Sequence, residues 1–331
     1  MKKFVNDPKQ FVPEFLEGIA LASGGSLKYE PKYNLIYRAD MPKADRVSII
    51  QGSGSGHEPA HTMIVGPGML DAACPGDVFA GPPVEFVTET SKLMDTPAGV
   101  LYIVNNYTGD RTAWEMAKEL QEAEGQKIGY LLVNDDVAVK DSTWTVGRRG
   151  VAGNFFVIKA VAAKADQGGT LEECVAVGEK VIANVRTMGI ALSSCTPPVR
   201  GTPLFDIGDD EMEIGIGIHG EPGRERAKLR PASEIVDILL DAIVPDLPFQ
   251  SGDEVALMVN GLGGTPISEL YLLYGDAHKK LADKGIKVFR SYVGEYCTSL
   301  EMAGAHISML KVDDELKQLL LAPAEIAYRV F

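Results

Sequence analysis

A strand–helix–strand pattern in the first half of this chain constrains its fold more than any other feature. Residues 100–104 and 130–133 are short runs of branched and aromatic side chains bounded by polar residues or glycine, as buried strands are. Between them Ala113, Met116, Ala117, Leu120 and Ala123 recur at helical spacing. Thr112 with Glu115 forms a capping-box pattern at the start of that stretch, and Gly125 stands where a helix stops. Two strands joined by such a crossover run parallel.

The alternation continues along the chain. Residues 47–50, 188–192, 212–218, 255–259 and 286–289 read as strands, and residues 155–165, 170 to about 185 and 234–243 as helices. Thr170 with Glu173 makes a second capping box, and Thr265 with Pro266 at the first helical position opens a further helix. The chain is therefore expected to be α/β, with two α/β domains, each a mostly parallel or mixed sheet covered by helices. A length of 331 residues suits two domains, and the boundary is expected near residue 187, dividing 1–187 from 188–331.

Charge narrows the function. With 32 Lys+Arg against 46 Asp+Glu, the net charge is 32 − 46 = −14. Such a surface repels phosphate backbones and anionic lipid, so neither nucleic acid nor membrane is an expected partner. Cys74, Cys174, Cys195 and Cys297 lie far apart with no C-x-x-C, which reads as reduced thiols. Met1-Lys2-Lys3 is soon followed by Asn6-Asp7-Pro8, so no signal peptide is expected, and no run of about 18 apolar residues occurs. A cytoplasmic protein is the expectation.

Four segments are too rich in glycine and polar residues to be plain connectors. Gly52-Ser53-Gly54-Ser55-Gly56-His57-Glu58-Pro59 follows a strand. Its alternate glycines either allow close backbone approach to a ligand or form a flexible turn. It matches neither the dinucleotide nor the P-loop fingerprint. Asn105-Asn106-Tyr107-Thr108-Gly109-Asp110 lies at a strand's carboxyl end, where α/β sheets bind ligands; Asp110 there is a general base or a capping accessory. Asn134-Asp135-Asp136 is a divalent-metal candidate or a hydrogen-bonded loop, and Arg148-Arg149 nearby can pair with these acids. In the segment from Met212 to Gly223, a period of two puts Ile214, Ile216 and Ile218 on one face. Glu213, Gly215, Gly217 and His219 take the other face, leaving a groove with one imidazole at its end. That imidazole can serve as nucleophile, acid/base or metal ligand. His61, His278 and His306 lack such a context and read as structural. Glu58-Pro59 and Glu221-Pro222 read as rigid turns.

Together these segments resemble the dihydroxyacetone kinase K-subunit family, the substrate-binding component of the phosphotransferase-dependent enzyme. The likeness rests on Gly54-Ser55-Gly56-His57-Glu58-Pro59, Asn106-Tyr107-Thr108-Gly109-Asp110, Asp135-Asp136-Val137-Ala138-Val139 and Gly147-Arg148-Arg149-Gly150. Gly215-Ile216-Gly217-Ile218-His219-Gly220-Glu221-Pro222-Gly223, Gly261-Leu262-Gly263 and Cys297-Thr298-Ser299-Leu300-Glu301-Met302 extend it over nearly the whole chain.

The resemblance implies a phosphotransferase acting on a small hydroxyketone. It gives His219 the covalent hemiaminal bond to the ketone, Asp110 the hydroxyl that receives the phosphoryl group, and His57 a hydrogen bond to substrate and help with proton transfer. Gly54, Ser55 and Gly56 would wrap the ketone, and Asp135 and Asp136 become loop-forming. It implies no cofactor in this chain: ADP or ATP with Mg²⁺ is expected on a nucleotide-binding L-type partner subunit, recharged by a phosphocarrier, because the chain stops at Phe331 without a nucleotide domain. A homodimer is expected. The alternative is a ketone-sensing regulatory paralogue acting with a transcription factor. Two departures stand out: Ser53 replaces the middle of a triple glycine, and Asn105 replaces a lysine that reaches the ketone. Asn105 should leave more room, so that dihydroxyacetone binds more weakly or a four-carbon ketose is preferred. Arg148, Arg149, Arg224, Arg226, Lys228 and Arg230 either receive the phosphoryl donor or are solvated.

Overall fold

The structure, a computed structural model, describes residues 2–139 and 147–326. Its first half contains strands β1 (Leu27–Glu30), β2 (Leu35–Arg38), β3 (Ser48–Gln51), β4 (Ala72–Ala73), β5 (Val100–Asn105) and β6 (Ile128–Val133). Its helices there are α1 (Phe11–Ala22), α2 (Val84–Leu93), α3 (Thr108–Ala123), α4 (Asn154–Asp166) and α5 (Leu171–Asn184). The second half contains β7 (Val185–Ala191), β8 (Glu211–Ile214), β9 (Glu225–Lys228), β10 (Glu254–Gly261), β11 (Lys287–Gly294) and β12 (Gly304–Lys311), with α6 (Ala232–Asp246), α7 (Ile267–Asp283) and α8 (Asp314–Leu321).

The strands form two six-stranded sheets, in the orders β1-β2-β4-β3-β5-β6 and β11-β10-β12-β7-β8-β9. In the first, β4, β3, β5 and β6 are parallel, as the crossover through α3 requires, while β1 and β2 add an antiparallel edge. The second sheet is mixed and mainly antiparallel: among the described residues, β10 and β11 pair parallel and its other neighbouring strands pair antiparallel. Its centre is β12, which inserts antiparallel between β10 and β7.

Helix α4 is buried at eleven of its thirteen positions, the mark of a core helix rather than a surface one. One apolar cluster joins Ile103 and Leu131 of the first sheet, Phe156 of α4, and Met258 and Leu310 of the second sheet. Phe155 and Phe156 meet the ring of Tyr292 edge-on, at 5.5 and 5.4 Å. Residue 187 lies inside β7, and α5 runs into that strand directly at Asn184–Val185. The chain later returns to the first half, where Glu325 N donates to Pro67 O at 2.8 Å.

Four local expectations are corrected. Helix α3 starts at Thr108, four residues before the Thr112–Glu115 pattern, and Thr112 Oγ1 donates back to Thr108 O at 2.9 Å. The strand read over 212–218 ends at Ile214, because Gly215 adopts φ +82°, a left-handed conformation that breaks the pleat. Thr265 does not cap α7; its hydroxyl bonds both backbone groups of Gly304 at 2.7 and 2.8 Å and ties the helix to β12. Arg148 pairs with Asp246 at 2.6 Å rather than with the Asp135–Asp136 pair. The Thr170–Glu173 capping box is present with both its bonds.

Candidate active site

The site forms where the carboxyl ends of β3 and β5 meet the turn after β8, a usual place for ligands on α/β sheets. The loop after β3 brings His57 into a fully buried position. Its backbone is pinned to the second half, because Thr298 N donates to His57 O at 3.1 Å and Leu300 N to Gly56 O at 2.8 Å. The turn after β8 brings in His219, whose side chain is 15% exposed. The Nε2 atoms of His57 and His219 stand 3.0 Å apart.

Hydrogen-bond partners fix the protons on this pair. His57 Nδ1 lies 2.8 Å from Thr298 O, which can only accept, so Nδ1 carries a proton. His219 Nδ1 lies 2.9 Å from Glu221 Oε1, and His219 N donates to Glu221 Oε2 at 3.0 Å. Burial works against the Glu221 charge, but His219 and Arg149 outweigh it and pull the carboxyl down to about 2. An ionised Glu221 only accepts, so His219 Nδ1 is protonated too. The Nε2–Nε2 bond then needs one proton between two lone pairs. With that proton in place the pair would hold three protons on four nitrogens and one positive charge, opposite the Glu221 carboxylate. Burial, reinforced by His219, holds His57 well below its ordinary value.

Aromatic rings hold both imidazoles in place. Phe79 stacks on His57 with centroids 5.3 Å apart, and Tyr107 meets His219 edge-on at 4.5 Å.

Asp110 enters from the first turn of α3 but bonds no backbone N–H of that helix among the described contacts. Its Oδ2 accepts from Ser53 Oγ at 2.7 Å, and its Oδ1 has no partner among the described residues. Burial pushes its carboxyl up to about 6, against the opposing pulls of the Ser53 hydroxyl and His219. Asp110 and His219 line one cleft of about 420 Å³, together with Ser53, Phe79, Tyr107 and Glu221.

The other residues singled out in the sequence take supporting places. Gly54 lies beneath the segment forming the cleft wall: a Cβ there would stand 2.8 Å from Phe79 Cα and Ala80 N. Ser55 Oγ donates to Gly76 O at 2.8 Å, and a Cβ on Gly56 would meet the Phe79 ring at 2.8 Å. Asn105 is fully buried at the end of β5 and is not among the residues lining the cleft; its Oδ1 accepts from Asn154 Nδ2 at 3.3 Å. Asp135 accepts from Val151 N and Gly153 N, each at 2.8 Å. Asp136 accepts from Ala138 N at 2.8 Å and Arg149 Nε at 2.7 Å, so both acids fasten loops. The basic run is self-paired: Arg226 with Glu213, Lys228 with Asp210, Arg230 with Glu234. His61 Nδ1 binds Gln51 Oε1 at 2.8 Å, a structural contact.

Sequence reasoning missed Ser53, Phe79, Tyr107 and Glu221 as site residues. Tyr107 lies inside the Asn106–Asp110 motif, and Glu221 stands two residues beyond His219, so proximity to a motif was the only available signal. Nothing local marks Phe79.

The arrangement defines an α/β protein with a histidine oriented by a carboxylate and a second carboxyl group of near-neutral affinity in one small cleft. The chain belongs to the Dak1 domain family, whose pattern it matches over residues 17–328. It is similar to the dihydroxyacetone-binding subunit DhaK of a PTS-dependent dihydroxyacetone kinase from Listeria innocua, with 46% identity over 95% of each chain. Among solved structures it resembles the dihydroxyacetone kinase operon co-activator Dha-DhaQ, with TM-score 0.90, 30% identity and coverage of 96% of this chain and 97% of that one. It also resembles the dihydroxyacetone kinase of C. freundii, with TM-score 0.87 and 30% identity, covering 99% of this chain and 60% of that one. Among the described residues, no helix is long and apolar enough to cross a membrane.

Proposed function

We propose that this chain is the ketone-binding subunit of a dihydroxyacetone-type kinase. It captures a small hydroxyketone as a hemiaminal on His219 Nε2 and presents the ketone's terminal hydroxyl to Asp110 for phosphorylation. The observation that carries this reading is that His219, paired with the buried His57, shares one cleft with the Asp110 carboxylate.

Capture starts with the shared proton on His57 Nε2, which leaves the lone pair of His219 Nε2 free. The freed lone pair attacks the carbonyl carbon and the C=O π pair moves to oxygen. His57, a weak base in its buried site, gives its extra proton to that oxygen, which becomes the hemiaminal hydroxyl. Total charge and protons are conserved: the positive charge ends on the substituted His219 ring. A carbonyl-specific bond rejects the corresponding alcohol, which shape alone does poorly, and fixes the terminal hydroxyl for reaction. Asp110, with a proton affinity near operating pH, takes the proton of the hydroxyl that receives the phosphoryl group.

The phosphoryl donor in this reading is ADP or ATP with Mg²⁺ on an L-type partner subunit, recharged by a phosphocarrier. Each carboxylate oxygen of Asp135 and Asp136 already accepts a bond from a backbone N–H or from Arg149, which supports a metal held by the partner. When bound there, the metal–nucleotide complex supplies the phosphoryl group in line with the hydroxyl. The reading includes a cytoplasmic homodimer: the four cysteines, all free and buried, suit a reducing compartment, and the dimer rests on the family resemblance.

A second reading, a ketone-sensing co-activator, is favoured by the likeness to Dha-DhaQ. Asp110 weighs against it, since a sensor needs only the covalent anchor. The test is reconstitution with L-type subunits and a phosphorylated donor. Phosphate transfer to dihydroxyacetone, lost in Asp110→Asn, supports the kinase subunit. Ketone binding without transfer to any partner supports the co-activator.

A further inference from the structure

We infer that Glu221 is the counter-ion of the ketone adduct: it holds the Nδ1 proton of His219 so that only Nε2 can reach the carbonyl, and it balances the charge the adduct acquires. The inference rests on the proposed hemiaminal at His219.

The geometry is a two-point clamp. One oxygen of Glu221 accepts from His219 Nδ1 at 2.9 Å and the other from the backbone N–H of the same residue at 3.0 Å. A carboxylate so fixed sets both the ring's rotation and its tautomer, because Nδ1 can satisfy it only as N–H. The remaining lone pair then falls on Nε2, the nitrogen turned toward the partner histidine.

The electron count makes the carboxylate more than an orienting group. An imidazole whose Nε2 has bonded carbon while Nδ1 keeps its proton is a cation. Before capture the positive charge belonged to the histidine pair; afterwards it lies wholly on the His219 ring, bonded to Glu221. No proton leaves the site and none enters it.

The protein also keeps Glu221 ready. Gly217 has no side chain where one would collide: a Cβ there would stand 1.9 Å from Glu221 Oε2 and 2.7 Å from Arg149 Nη1. The same point therefore brings the Arg149 guanidinium beside the Glu221 carboxylate. Arg149 is itself held by Asp136 Oδ2 and Gly215 O, each at 2.7 Å. Glu221 is thus a positioning residue with a fixed charge behind it.

The test uses the full chain with dihydroxyacetone as probe, comparing native protein, Glu221→Gln, Gly217→Ala and His219→Ala by calorimetry and ketone-release rates. A charge-assisted bond of this kind predicts capture weakened on the order of 10- to 100-fold in folded Glu221→Gln, mainly through faster release. Gly217→Ala, which displaces Oε2 without altering the charge, should weaken capture in the same direction. In native protein carrying nitrogen-15 histidine, the adduct should show a protonated Nδ1. Native-like capture by folded Glu221→Gln, or an adduct whose Nδ1 has lost its proton, overturns the inference. If His219→Ala itself captures ketone normally, the hemiaminal reading fails, and the inference fails with it.

Discussion

Ser53 Oγ donates to Asp110 Oδ2 at 2.7 Å across 57 positions of sequence, and both residues line the cleft that holds His219. The bond favours the ionised carboxylate and opposes the burial that raises it to about 6. Among the described residues, His219, the Cys74 thiol and the Tyr130 hydroxyl also interact electrostatically with Asp110. Removing the hydroxyl in Ser53→Ala raises Asp110 further, so the acid limb of kcat/KM moves to higher pH by roughly one pH unit. The rate falls near neutrality and recovers under alkaline conditions. A pH–rate profile checks this, and an unmoved acid limb contradicts it.

Asp110→Asn separates chemistry from architecture. It keeps the shape and loses the base, so phosphoryl transfer should fall by about 10²–10⁴. Ketone capture, which belongs to His219, should be retained. Near-normal turnover returns Asp110 to a structural role.

The same carboxylate has a signature in stability. A folded-state value of about 6 against an ordinary 3.8 means the folded protein binds this proton more tightly than the unfolded chain. The contribution is fully present below about 3.8 and is lost as pH rises through about 6, on the order of 2–3 kcal/mol in all. Asp110→Asn should therefore flatten that portion of the stability-against-pH curve. Denaturant melts between pH 4 and pH 7 measure it; an unchanged slope contradicts the assignment.

The Arg149–Asp136 pair lies at 2.7 Å with both side chains nearly inaccessible. Asp136→Asn removes the carboxylate bonded to a buried guanidinium, leaving only the neighbouring Glu221 charge, and should destabilise the fold by about 2–4 kcal/mol. It also loosens the support behind Glu221, so ketone capture should weaken even where the protein remains folded. Urea unfolding and calorimetry on one preparation test both effects.

The sequence announced the parts whose signal is local. Strands β3, β5, β6 and β10 are compact apolar runs, and the Thr170–Glu173 cap of α5 is written in two residues. Strand β12 escaped because Gly304, His306 and Ser308 dilute its pattern, although it is buried at the centre of its sheet. The start of α3 was hidden because its cap residue, Tyr107, makes no side-chain capping bond. His219 stood out through the glycine alternation before it, yet Gly215 ends the strand and delivers the imidazole from a turn. The Ser53–Asp110 and His57–His219 contacts join residues far apart in the chain, and no local pattern encodes such meetings.

The central claim is a bond between His219 Nε2 and the ketone carbon, and an NMR experiment reads it directly. Dihydroxyacetone labelled with carbon-13 at the carbonyl is added to protein carrying nitrogen-15 histidine, with His219→Ala as the control. The account predicts a tetrahedral carbon signal with a one-bond coupling to nitrogen, absent in the control. A bound ketone that keeps its carbonyl signal, with no carbon–nitrogen coupling, would contradict it.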